Sequence, residues 1–174
     1  MRILPLMLSI VVISALPGCQ QAAFQQEGPL LYEAVRKGDK VLLNKPLTIP
    51  VQRARTYLQG GHEIGAQQVD RFEPNCEFEV RTLRETRVEI APDAFIVNRV
   101  RNYEEGSEGF FSSFQLGVRS SATIKYQTTL KMSSERQPDV LQLVCSWEET
   151  ASRGHYLSVE QFKNAVGAYI SLQR

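Results

Sequence analysis

The sequence contains few of the residues and motifs on which most enzyme chemistry depends. Among 174 residues there are three cysteines, two histidines and one tryptophan. It has no Gly-x-Ser-x-Gly motif, no phosphate-binding glycine-rich loop and no dinucleotide-binding pattern. His62 and His155 have no metal-ligating residue at the spacing of a known motif, so both are expected to be solvated. The sequence therefore predicts no metal, no cofactor and no enzymatic activity.

An excess of charge of one sign is also absent. The 20 Lys and Arg residues nearly balance the 19 Asp and Glu residues, which gives a formal net charge of +1. Hydrophobic residues make up 43% of the chain and charged residues 22%, as in ordinary globular proteins. This composition excludes a disordered chain and a membrane protein with several spans. The near-neutral charge argues against a dedicated nucleic-acid-binding protein, so no nucleic-acid partner is expected.

The longest apolar segment of the sequence lies at the N-terminus. Arg2 is followed by an apolar run over residues 3–16, which only a proline and two serines interrupt. These 14 residues are too few to cross the roughly 30 Å hydrocarbon core of a bilayer comfortably as a helix. A positive charge followed by an apolar run of this length is typical of a signal peptide. Residues 1–18 are therefore predicted to be removed from the mature protein.

The end of this leader resembles the lipobox, the site that the bacterial lipoprotein signal peptidase cleaves. Leu16, Gly18 and Cys19 match the lipobox pattern, and Pro17 is the position that departs from it. The resemblance implies a lipoprotein signal peptide and makes Cys19 the acylated first residue of the mature chain. Gln20 follows the cysteine, which in the lipoproteins it resembles implies sorting to the outer membrane. Ordinary secretory cleavage is the alternative.

The lipobox resemblance also implies how the mature chain is organised. Residues 19–28 would be the lipid anchor and a polar tether, and residues 29–174 would face the periplasm. The strand patterns given below, and not the resemblance, predict that residues 29–174 form a single β-rich domain. Each CH₂ group of an acyl chain that enters the bilayer contributes about 0.8 kcal/mol to membrane binding. Several chains therefore hold a soluble domain on a membrane, and the domain needs no membrane-binding surface of its own.

The two remaining cysteines, Cys76 and Cys145, are predicted to form a disulfide. Each lies in a stretch in which every second residue is apolar, so both thiols are expected to point into the core of a sheet. An oxidising periplasm favours such a bridge. By the chain-entropy estimate, a bridge that closes about 70 residues adds roughly 4 kcal/mol of stability. The alternative is two buried free thiols that pack as small hydrophobic side chains.

The rest of the sequence predicts a mainly β protein of the α+β class. Short apolar or alternating segments predict strands over residues 41–43, 47–49, 53–58, 76–83, 86–90, 95–103, 122–132 and 140–148. Ser158 and Gln161 form the capping box of a C-terminal helix, which is expected over residues 158–172. We expect a single antiparallel β-sandwich or partly open barrel, with this helix packed on it. A partner-binding role for the helix is the alternative.

Four arginines are candidates for binding an anion. Arg53 and Arg55 lie two residues apart, as do Arg99 and Arg101, so on strands each pair projects from one face. If these side chains converge, they form a site for phosphate or carboxylate. The alternative is a solvated face on which the arginines pair with the many glutamates.

A glycine- and serine-rich segment, residues 104–117, is the candidate for contact with a partner protein. It contains Phe110, Phe111 and Phe114. Three aromatic side chains in such a segment either fold back onto the core or anchor a partner.

These observations lead to one expected function and two alternatives. We expect a non-enzymatic accessory lipoprotein, lipid-anchored to the outer membrane and facing the periplasm. It would bind a protein partner or an envelope component and support assembly or envelope integrity. The first alternative is a periplasmic module that binds a small anionic ligand through the arginines. The second is a periplasmic hydrolase that depends on carboxylates.

Overall fold

The computed structural model describes residues 28–106, 123–150 and 154–174. The strands in these ranges are β1 Lys40–Leu43, β2 Leu47–Ile49, β3 Arg55–Gln59, β4 His62–Ile64, β5 Asn75–Val80, β6 Val88–Ile90, β7 Asp93–Gly106, β8 Thr123–Ser133, β9 Val140–Thr150 and β10 Ile170–Gln173. The helices are α1 Leu31–Ala34 and α2 Val159–Val166. The predicted leader, Cys19, Phe110, Phe111 and Phe114 lie outside the described residues.

Eight of these strands form one antiparallel sheet, which curls into a half-barrel. The strand order is β10-β1-β7-β8-β9-β5-β3-β4, and β2 pairs with β6 in a separate two-stranded sheet. The first and last strands are therefore neighbours, because β1 lies between β10 and β7. The predicted mainly β fold, a partly open barrel with a helix packed on it, is confirmed.

The hydrophobic core lies on one face of the curled sheet, which we call the core face. Phe78 and Phe95 are fully buried there, with ring centroids 5.7 Å apart in an edge-to-face arrangement. Helix α2 covers part of this face and packs against β3, β5 and β10. Its Phe162 and Val166 are buried in the same core. The side chains between the core residues of each strand project from the opposite face, which we call the outer face.

The predicted disulfide between Cys76 and Cys145 is present. The two residues face each other directly across β5 and β9, and both are completely buried. The bridge joins positions 69 residues apart, so the estimate of roughly 4 kcal/mol applies. In the sequence analysis, Cys145 lies on the last predicted strand, residues 140–148. The last strand is instead β10, which pairs with β1 at the far end of the sheet.

The C-terminal helix begins where the sequence predicts but ends six residues earlier than the predicted boundary of 172. Ser158 Oγ accepts a hydrogen bond from the Gln161 amide, and Gln161 Oε1 accepts one from the Ser158 amide. The helix stops at Val166 because Gly167 has φ +52° and ψ −132°, which the α-helix does not allow. The chain then reverses and enters β10. Ile170 and Leu172, which lie within the predicted helix, belong to that strand.

Within the described residues, no helix has the length and apolar character that crossing a bilayer requires.

Candidate functional site

The register of the sheet sets the order of the candidate arginines on the outer face. Directly opposed residues form one row across five strands, from β3 to β7: Arg55, Glu79, Gln142, Lys131 and Arg99. The neighbouring row is Tyr57, Glu77, Val144, Thr129 and Arg101. Adjacent strands lie about 4.8 Å apart, so four steps separate Arg55 from Arg99 by about 19 Å along the sheet. Arg53 lies in the turn before β3, not on a strand as the sequence predicts. The pairs therefore do not converge on one site.

Arg55 is paired with two glutamates of the neighbouring strand. Its guanidinium lies 2.5 Å from Glu77 Oε2 and 3.4 Å from Glu79 Oε1. Burial alone would lower the pKa of Arg55, but the two carboxylates raise that pKa above its ordinary value. The alternative in which arginines pair with glutamates is therefore correct for Arg55. Glu77 and Glu79 are thereby already paired with Arg55.

Beside Arg55 lies an open groove of about 770 Å³, which we call the first groove. Its walls come from the turn before β3, from β3 itself, from the 3-10 turn Ala66–Gln68 and from the segment after β5. Arg53 lines this groove, and its side chain makes no hydrogen bond or ion pair with any described residue. Leu83 lines it too and is 64% exposed. The first groove therefore offers an apolar surface together with one unpaired cation.

The backbone is strained at the rim of the first groove. Gln52 has φ +54°, a left-handed conformation that is uncommon for residues other than glycine. Two contacts hold it there: its amide donates to the Arg84 carbonyl at 2.8 Å, and its Nε2 lies 3.2 Å from Glu85 Oε2. Such strain is concentrated in proteins at binding and catalytic sites. The two contacts of Gln52 hold the turn that places Arg53 at the groove.

A smaller groove of about 330 Å³, which we call the second groove, lies at the other end of the first row. It is lined by Arg81, Asn98, Arg99, Lys131, Met132 and Leu141. Arg99, a candidate anion contact, thus lies in a groove with residues other than the three remaining candidate arginines. Arg101 is not among the lining residues, and its guanidinium donates to the Tyr103 hydroxyl at 3.1 Å.

Two β-bulges shape the second groove. In β7 the register passes from Val97 to Arg99, so Asn98 is an extra residue. In β9 the register passes from Val140 to Gln142, so Leu141 is an extra residue. A bulge bends its strand and changes the direction of nearby side chains. Both extra residues are among the residues that line the groove.

Away from the two grooves, three tyrosines form an aromatic cluster: Tyr32, Tyr126 on β8 and Tyr156 before α2. Tyr156 makes edge-to-face contacts with Tyr32 and Tyr126, at 5.4 and 5.7 Å between ring centroids. Burial and the nearby Glu104 carboxylate raise the pKa values of Tyr126 and Tyr156.

His155 precedes Tyr156 and packs on Trp147, which corrects the expectation that both histidines are solvated. Its ring is 5.1 Å from the Trp147 ring, and its carbonyl accepts a hydrogen bond from Trp147 Nε1 at 2.7 Å. His155 is half-buried, whereas His62 is exposed as expected. A histidine that packs on a tryptophan has a structural role here.

No described residues form a group of three or more His, Cys, Asp or Glu side chains that could hold a metal ion. No protein-family model matches the sequence, and no curated protein or solved structure matches it either. Function therefore has to be inferred from the grooves, the disulfide and the N-terminal sequence.

Proposed function

We propose that this protein is an exported lipoprotein, anchored through Cys19 to the periplasmic side of the outer membrane. In this proposal it is a non-enzymatic accessory factor that binds a protein partner or an envelope component. The observation that carries the proposal is the disulfide between Cys76 and Cys145. Disulfides persist in oxidising compartments and are rare in the cytosol. A buried bridge in the core agrees with the export that the lipobox resemblance implies.

The first groove is the surface that we assign to the partner. Leu83 is 64% exposed at its edge, and Tyr57 and Ile64 add further apolar surface. Anchors of protein interfaces combine apolar or aromatic side chains with arginine, and Arg53 supplies the cation here. The proposal also retains Phe110, Phe111 and Phe114 as candidate contacts, on the grounds given from the sequence.

Site-specific cross-linking in intact cells tests the partner surface. A photo-reactive residue is placed at Leu83, at Phe110 or, as the control, at the exposed Lys37 before β1. We expect a discrete adduct with the same protein or envelope component from Leu83 or Phe110, and none from Lys37. If all three positions give the same set of adducts, or none, the partner surface is wrong.

A matched fractionation experiment tests the anchor. In the Cys19→Ser variant the acylation site is absent and the described domain is unchanged. We expect the wild-type protein in the outer-membrane fraction and the variant protein outside it. Equal recovery of both proteins in the outer-membrane fraction would contradict the anchor.

A further inference from the structure

Three basic side chains from separate parts of the chain line the second groove. Arg81 follows β5, Arg99 lies on β7 and Lys131 lies on β8. Within the part of the chain that the structure describes, none of the three side chains makes a hydrogen bond or an ion pair. The lining residues include no carboxylate. The groove therefore concentrates positive charge that the described protein does not neutralise.

This arrangement is unfavourable for a sheet without a ligand. Arg99 and Lys131 are direct cross-strand partners, and like charges in that position destabilise a sheet. Nearby carboxylates are already engaged. The Glu79 carboxylate accepts a hydrogen bond from Gln142 Nε2 at 2.7 Å and forms an ion pair with Arg55. An anion from outside the described chain would remove the repulsion.

Asp139 is the second carboxylate near the groove, after Glu79, and it too already has partners within the protein. Its carboxylate accepts hydrogen bonds from the Thr82 hydroxyl at 2.7 Å and from Arg84 at 3.4 Å. Its backbone carbonyl accepts the amide of Arg81 at 2.8 Å, which fixes the start of the arginine side chain beside the groove.

From this geometry we infer that the second groove binds a phosphate group. Guanidinium groups present paired N–H donors that match two phosphate oxygens, and a lysine adds a compact positive charge. Three cations suit a ligand that carries at least two negative charges better than a single carboxylate. A volume of about 330 Å³ is at the small end of ligand sites, and it admits a phosphate or diphosphate. The phosphate can belong to a soluble compound or to a lipid headgroup.

Thermal unfolding with inorganic pyrophosphate tests the site on the full chain in neutral detergent at low salt. The groove variant carries Arg99→Gln and Lys131→Gln. The matched control carries Arg87→Gln and Lys37→Gln, because both of these residues are exposed and line neither groove. A ligand that binds only the folded state raises the unfolding temperature. We expect saturating pyrophosphate to raise the midpoint of the wild type and the control by roughly 2–4 °C, and that of the groove variant by less than 1 °C.

The same curves show whether the groove variant is folded. Without pyrophosphate, removal of the repulsion should leave its midpoint equal to or above that of the wild type at low salt. No rise in the wild type, or an equal rise in all three proteins, would overturn the inference. So would a midpoint of the groove variant that falls well below the wild type without ligand, because the two cations would then be structural.

A second arm separates the two sources of phosphate. The detergent micelles are doped with short-chain phosphatidic acid or, as the control, with phosphatidylcholine. A larger rise with phosphatidic acid, lost in the groove variant, supports a lipid headgroup, whereas a rise with pyrophosphate alone supports a soluble compound. An equal rise with the two lipids would count against recognition of the phosphate. These measurements do not depend on acylation of Cys19. A negative result would therefore overturn the phosphate site without contradicting the proposed anchor.

Discussion

At the scale of single residues, the most densely bonded polar group in the described structure is the carboxylate of Asp93. It accepts hydrogen bonds from the Ser134 hydroxyl at 2.6 Å, from Gln137 at 3.3 Å and from Arg136. Its side chain is only 5% exposed, whereas Arg136 is 71% exposed. Asp93 thereby fixes the turn after β8 to the beginning of β7. The turn conformation depends on the negative charge of this one side chain.

This charge makes a prediction about acid stability. Burial would raise the pKa of Asp93, but the hydrogen bonds from Arg136, Ser134 and the Ala94 amide lower that pKa far below its ordinary value. The stabilisation is therefore complete above about pH 4, the ordinary carboxyl pKa, and is lost as the pH falls towards the pKa of the folded protein. Asp93→Asn should cost about 2 kcal/mol at pH 7 and should flatten the loss of stability below pH 4.

Urea unfolding between about pH 2 and pH 7 measures both effects. Glu135→Gln is the control, because Glu135 is exposed in the same turn. A parallel decline in stability for the wild type and Asp93→Asn would show that this carboxylate has no such role.

A second prediction concerns Gly167, where α2 ends. A Cβ atom there would lie 2.6 Å from the Gly61 Cα and 3.1 Å from the Gly61 carbonyl oxygen, and the φ of +52° already disfavours a side chain. We expect Gly167→Ala to reduce the free energy of unfolding by about 3 kcal/mol. Gly60→Ala is the control, because φ is +57° but no atom lies within 4 Å of the added Cβ. It should cost only about 1 kcal/mol. Equal losses would exclude the collision.

At the scale of elements, the bridge between β5 and β9 joins two adjacent strands near the middle of the sheet. Cys76 and Cys145 are directly opposed on these strands and belong to the core, together with Phe78, Leu143 and Trp147. The bond restricts the unfolded chain across the 69-residue separation. It stabilises the pairing on which the order of the other strands depends.

Removal of the bridge should therefore weaken the whole sheet. We expect a Cys76→Ala, Cys145→Ala variant to lose about 2–5 kcal/mol of unfolding free energy. Wild-type protein under reducing conditions should lose part of this, because its sulfur atoms still fill the core. Denaturant curves with and without reductant measure the two losses. If reductant has no effect on the wild type, or changes the variant equally, the bridge does not contribute as described.

The elements also show what the sequence can predict. Residues 122–132 and 140–148 were predicted as strands because apolar and polar side chains alternate there, and the strands Thr123–Ser133 and Val140–Thr150 agree closely. Alternation gives the face of a side chain but not its neighbour on the next strand. Strand order and two bulges place Lys131 opposite Arg99 and bring Arg81 to the same groove. Those pairings are long-range, so no local pattern could reveal the second groove.

Helix α2 shows a second limit of local patterns. The spacing of apolar residues up to Ile170 suits a helix, but the same residues also suit a turn followed by a strand. Tertiary structure decides between them, because β10 gains a pairing partner in β1 and the Gly61 amide donates to the Ala165 carbonyl at 3.0 Å. A sequence pattern without those contacts favoured the longer helix.

At the scale of the whole molecule, the protein is a β domain with one disulfide and two grooves, and the proposed lipid anchor precedes this domain in the sequence. The two grooves share no lining residue, and Arg81 of the second groove lies two positions before Leu83 of the first in the chain. The chain as a whole is nearly neutral, with a net charge of +1. Local charge, such as the cations of the second groove, therefore determines its electrostatic interactions more than its net charge does.

The intact mass of the protein extracted from cell membranes tests the central claim most directly. The account predicts a chain that begins at Cys19, carries fatty acyl groups on that residue and is lighter by two hydrogens for the bridge between Cys76 and Cys145. A mass that includes residues 1–18, or one without acyl groups, would contradict the claim that this is a lipid-anchored exported protein.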